Sequence, residues 1–122
     1  MWIMLNDAMF SIVENNGKKY GNREELVVRA RREGDLQRVF TLQDQEVLVT
    51  DDSDYRFRTF LSRDEVAKVL SEQVYCIDYS NFKSSVKDRK LYTAYNRVWS
   101  ALFELQEDAY PRSSSSWWTN YR

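Results

Sequence analysis

Histidine is missing from this sequence, and cysteine, proline and glycine are scarce. Without histidine there is no general base of the commonest kind near neutral pH, and no Ser-His or Cys-His nucleophile. The lone Cys76 excludes an internal disulfide framework and a thiolate zinc site. It also leads us to expect a reducing, cytoplasmic setting. The three glycines stand isolated at 17, 21 and 34, so no glycine-rich phosphate loop is present. The longest uninterrupted apolar run at the start, "MWIML", is too short to span a bilayer, and it shows no charged-then-apolar leader pattern. These gaps predict a non-enzymatic protein with no catalytic residues, no metal, no cofactor and no membrane segment.

Charge is nearly balanced, 18 basic against 19 acidic residues, which argues against a protein that coats nucleic acid. What the chain does have is aromatic residues, at a high 15%. Part of that excess is expected in the core and part on a contact surface. At 122 residues the chain is long enough to bury a core unaided.

Hydrophobic spacing gives the order of elements. Residues 2 to 14 read as extended, and "NNGKKYGN" supplies turn residues before a second strand over "EELVVRARR". Period two sets Leu26, Val28 and Ala30 on one face, with Val27, Arg29 and Arg31 on the other. Asp35 is expected to cap a short helix over "DLQRVF". More strand follows, interrupted by the acidic turn at Asp51, Asp52 and Asp54; past it, Tyr55, Phe57 and Thr59 alternate with Arg56, Arg58 and Phe60. "SRDE" is a capping box from Ser62 to Glu65, opening a helix with a stripe of Val66, Val69, Leu70 and Val74, continued by Ile77. Cys76, at the end of that stripe, is expected to be buried. A last helix runs from near Asp88 to about Glu107, with Leu91, Tyr92, Tyr95, Val98, Trp99, Leu102, Phe103 and Leu105 at helical spacing. The expected fold is α+β: an antiparallel sheet of three to four strands with two main helices packed on one face. It forms a single domain over residues 1–108, and a Ser/Trp-rich C-terminal tail occupies 109–122.

Four segments carry a resemblance. "MWIMLNDAMFSIV", "LVVRARREGDLQRVF", "DYRFR" and "IDYSNFKSSVKDRKLYTAYNRVWSALFELQ" resemble a family of short bacterial proteins with no assigned function, across roughly residues 1–106. The resemblance implies a bacterial or phage-encoded protein, and it transfers no functional residues.

Two groups of residues are proposed for binding. Pairing the two arginine-bearing strands would gather Arg29, Arg31, Arg56 and Arg58 into a patch suited to phosphate, nucleic acid or an acidic protein surface. Alternatively, those arginines form a solvated sheet face, neutralised by Glu24, Glu33 or the aspartates at 51, 52 and 54. Trp117 and Trp118, adjacent in the tail, either dock on the domain or engage a partner. "DYSNFKSSVKDRK" sets Lys83 beside Ser84, but adjacency alone does not make a Ser-Lys nucleophile; the segment reads as a capped connection anchored by Tyr79, Phe82 and Val86. The expected partner is another protein, with nucleic acid the second choice. The breadth of the last helix's apolar surface, with the tryptophans behind it, points to a homodimer, the alternative being that the preceding helix and the folded-back tail cover that surface within one chain. An inhibitor or accessory factor of bacteria or phage is one form such a protein would take.

Overall fold

The computed structural model describes residues 1–16 and 24–106. Two compact units divide the chain, Met1–Ile77 and Asp78–Arg122. The fold class is α+β, as expected, with more strands than the sequence suggested.

The first unit is built on a five-stranded antiparallel sheet: β1 (Trp2–Met4), β2 (Met9–Glu14), β3 (Glu25–Ala30), β4 (Leu48–Val49) and β5 (Phe57–Ser62), in the order β1-β2-β3-β5-β4. The extra strand comes from the opening segment. Residues 2–14 are a hairpin, not one extended piece: the Leu5 amide donates to the Ala8 carbonyl at 2.8 Å around Asn6 and Asp7. Two polar residues inside an apolar run are enough to turn the chain there.

Alternation assigns the two sides of the sheet. Phe10, Ile12, Val28, Ala30, Phe57 and Leu61 point to one side. There they form the core with Leu36 and Phe40 of α1 (Asp35–Phe40) and Val66 of α2 (Arg63–Tyr75). Phe10 and Leu36 are fully buried, and Phe10 meets Phe40 edge-on with ring centroids 5.2 Å apart. Burial of each such side chain stabilises the fold by about 1.5–3 kcal/mol.

Both helices begin with sequence-encoded caps, one of them different from expectation. Ser62 accepts from the Glu65 amide at 3.1 Å and the Glu65 carboxylate reaches back, so the capping box forms as read. On α1 the cap is Gly34, not Asp35. Its φ of 88° lies in the left-handed region, and a Cβ added there would meet nothing within 4 Å. The cost of another residue there would be backbone strain alone, about 1 kcal/mol. Asp35 is thereby freed for the first helical turn, where it is buried and bound to two arginines.

The stripe on α2 is shorter than its spacing implies. Val66 is buried, and Val69 and Leu70 pack on the core, but Val74 and Ile77 are exposed, as is Cys76. The expectation of a buried thiol is therefore wrong. Among the described residues the core beneath the helix ends at Leu70, and the last turn lies beyond it.

In the second unit, α3 (Phe82–Ser85) is capped by Asn81, whose side chain accepts from the Ser84 amide at 3.0 Å. Asp88 caps α4 (Arg89–Leu102), accepting from the Leu91 amide at 2.8 Å. The helix stops short of Glu107 and tightens into a 3-10 turn over Phe103–Leu105. Tyr79, Phe82 and Tyr95 form a run of aromatic contacts, with Phe82 stacked on Tyr95. Leu91 and Tyr95 are buried, while Tyr92, Leu102 and Leu105 of the predicted stripe are exposed. No helix among the described residues is long and apolar enough to cross a membrane.

Candidate functional site: an arginine and aromatic sheet face

The side of the sheet away from α1 and α2 carries the residues singled out from the sequence. Register places one row across it: Trp2 opposite Ser11, Ser11 opposite Arg29, Arg29 opposite Arg58, and Arg58 opposite Leu48. In the adjoining row Met4 lies opposite Met9. The expected pairing of the two arginine-bearing strands does occur. It brings Arg29 and Arg58 face to face, an arrangement that like charges resist unless something compensates.

Compensation is unequal. Arg58 donates to the Ser53 hydroxyl and approaches Asp54 at 3.9 Å, while its Nε is buried and makes no hydrogen bond. Arg56 donates to Asp51 at 2.7 Å, and its guanidinium lies over the ring of Phe57. The acidic turn is thus an internal counterion for the two β5-side arginines, as one of the two sequence readings held. It is itself pinned by the Ser53 amide donating to the Thr50 carbonyl at 3.3 Å, and by Thr50 Oγ1 donating to the Tyr55 carbonyl at 3.1 Å.

Arg29 and Arg31 are different. Arg29 donates to Ser11 Oγ at 2.6 Å, and both guanidiniums lie over the ring of Tyr55, at 4.7 and 4.6 Å from its centroid. Among the described residues neither has a carboxylate partner. Cation–π contact holds a guanidinium in place without cancelling its charge. Two positive groups are therefore presented on one buried aromatic platform, with Arg31 exposed and Arg29 half-buried.

The remaining arginines of "RARREGDLQRVF" do structural work. Arg32 and Arg38 bind Asp35, each at 3.1 Å, and both also donate to the Asp7 carbonyl, at 2.9 and 2.7 Å. They fasten the β1–β2 turn to the start of α1.

Two members of the face were missed in the sequence. Trp2 is 70% exposed on the edge strand, in line with Arg29. Tyr55 precedes β5, so alternation did not apply to it, and its ring turns to the arginines. Of the four arginines named in advance, the structure groups Arg29, Arg31 and Arg58 and turns Arg56 toward Asp51. Trp117 and Trp118 lie outside the described residues. In the second unit, Lys83 Nζ lies over the rings of Tyr92 and Trp99, whereas Ser84 Oγ donates to the Asn81 carbonyl at 3.1 Å. The two neighbours are engaged with different partners and do not form a nucleophile–base pair.

No protein-family model matches the chain, and neither a curated protein nor a solved structure does.

Proposed function

We propose that this chain is a non-enzymatic protein-interaction domain, and that its contact surface is the sheet face carrying Trp2, Arg29, Arg31 and Tyr55. The observation behind this reading is the conjunction on one face of an exposed tryptophan and two guanidiniums that no carboxylate among the described residues neutralises. Tryptophan, tyrosine and arginine are the residues that most often dominate protein contacts. A partner fitting this face presents carboxylates to Arg29 and Arg31 and an apolar pocket or ledge to Trp2. The bidentate fork of a guanidinium favours carboxylate geometry, and its positions are already fixed by Tyr55 and Ser11, so less side-chain freedom is lost on binding.

Nucleic acid is the second reading, supported by Arg29 lying opposite Arg58. Against it, Arg56 and Arg58 already face Asp51 and Asp54, and those aspartates would repel an extended polyanion.

Proteins retained from the native host by the wild-type chain should be lost when Trp2→Ala is combined with Arg31→Glu, while Tyr75→Ser on α2 retains them. Duplex and single-stranded DNA and RNA should not bind at low salt, where phosphate contacts are strongest. Salt-sensitive nucleic-acid binding abolished by Arg31→Glu would replace the protein reading with the nucleic-acid one. Retention unaffected by the double substitution would remove this face from the interaction.

A further inference from the structure

The hydrogen-bond phase of the first hairpin determines what its outer edge offers. Met1 and Ile12 exchange both bonds, at 2.8 Å each, and the Leu5 amide donates to Ala8. Since bonded and non-bonded pairs alternate in an antiparallel ladder, Met1, Ile3 and Leu5 face β2. The amides and carbonyls of Trp2 and Met4 therefore point away from the sheet. Among the described residues they have no partner.

This edge lacks the usual protections. Natural sheets discourage edge pairing with charges, prolines or bulges, and β1 has none of these: "WIM" is uncharged and apolar, and among the described residues its shortness is the sole guard. The opposite edge is defended. β4 is only two residues long and is flanked by Asp44 and Glu46 on one side and Asp51 and Asp52 on the other. The unprotected edge is also held in position, because Arg32 and Arg38 clamp the turn at Asp7.

We infer that β1 is a pairing site for β1 of a second copy of this chain, in antiparallel register about a two-fold axis through Ile3. The strand is complementary to itself in that register. Trp2 of one copy stands opposite Met4 of the other, and these are the residues whose amides and carbonyls are free, so each such pair forms both of its bonds. Trp2 and Met4 project to the same side of the sheet, so each indole meets a thioether across the axis, a favourable sulfur–aromatic contact. Ile3 meets its own counterpart on the core side. No charge on β1 opposes the approach. An axis perpendicular to the sheet leaves the arginine faces of both copies on the same side, as neighbouring parts of one surface. The pairing shares Trp2 with the contact surface proposed above, but it is argued from the strand edge and does not depend on that reading.

Sedimentation velocity on the purified chain, from micromolar to millimolar concentration, tests the pairing with no other protein present. The wild-type mass should rise from 14.7 kDa toward twice that value. Met4→Pro removes an outward amide that β2 does not use, so it should hold the mass at the monomer value with an unchanged circular dichroism spectrum. Met4→Val keeps the amide and should still associate. Amide exchange at Trp2 and Met4 should slow with concentration, while Ile3 is already protected. A monomeric wild type at every concentration, or association undiminished in folded Met4→Pro, would overturn the site. Neither result bears on whether Trp2 and Arg31 are needed to retain another protein.

Discussion

Replacing Asp35 with alanine is expected to destabilise the first unit by about 2–3 kcal/mol, seen as a fall of roughly 1–2 M in the urea midpoint. Its carboxylate is only 4% exposed and accepts from Arg32 and Arg38 together. Both guanidiniums retain water on one side, at 33% and 48% exposure. Losing the carboxylate thus strands no fully buried cation, and the cost stays below the 3–5 kcal/mol typical of breaking a wholly buried pair. The same two arginines hold the Asp7 carbonyl, so the loss should spread to the first hairpin. Hydrogen exchange at Ile3 and Phe10 should accelerate along with exchange in α1. Asp35→Asn, which keeps the volume and one acceptor, should lie between wild type and alanine. A midpoint within error of wild type for Asp35→Ala would mean the clamp contributes nothing to stability.

Phe10→Ala should cost more, about 3–5 kcal/mol. The side chain is completely buried at the centre of the cluster joining β2, α1 and α2, and truncation opens a cavity against the edge-on ring of Phe40. Against total stabilities of about 5–15 kcal/mol, that loss should leave a substantial unfolded fraction at physiological temperature. Tyr75→Ala on the exposed last turn of α2 is the comparison, with an expected change within about 0.5 kcal/mol. Thermal unfolding followed by near-ultraviolet circular dichroism would separate the two. Equal effects at Phe10 and Tyr75 would contradict the assignment of the core to the α1 and α2 side of the sheet.

How far the sequence revealed this arrangement depends on the kind of signal. Where chemistry and spacing act over three or four residues, the reading was accurate: Ser62 and Glu65 form their capping box, and the alternation from Phe57 to Ser62 matches the buried and half-buried pattern of β5. The pairing of Arg29 with Arg58 was accessible too, because each strand's period was clear. The turn at Asn6 and Asp7, which has neither glycine nor proline, is not legible in the same way. Asn6 and Asp7 turn the chain within an otherwise apolar run, so β1 and β2 were merged and the exposed position of Trp2 went unseen. Alternation extended to Tyr55 places it with Phe57, but β5 begins only at Phe57 and the Tyr55 ring lies under Arg29 and Arg31 instead. On α2 and α4 the apolar spacing continued past the packed surface. Periodicity reports which side chains share a face, but not where the neighbouring layer ends, and so Val74, Ile77, Cys76 and Leu102 were expected to be covered. Asp35 has the residue type and position of a cap, but Gly34 fills that place. The left-handed backbone that makes Gly34 the cap has no local sequence signature beyond glycine itself.

The role of the sheet face is tested most directly by hydrogen–deuterium exchange of the wild-type chain, alone and bound to a protein it retains from its host. The proposed function predicts slower exchange on binding at residues 2–4, 29–31 and 55–58, with residues 63–75 of α2 unchanged. Protection confined to α2, with 29–31 and 55–58 exchanging as in the free chain, would contradict it.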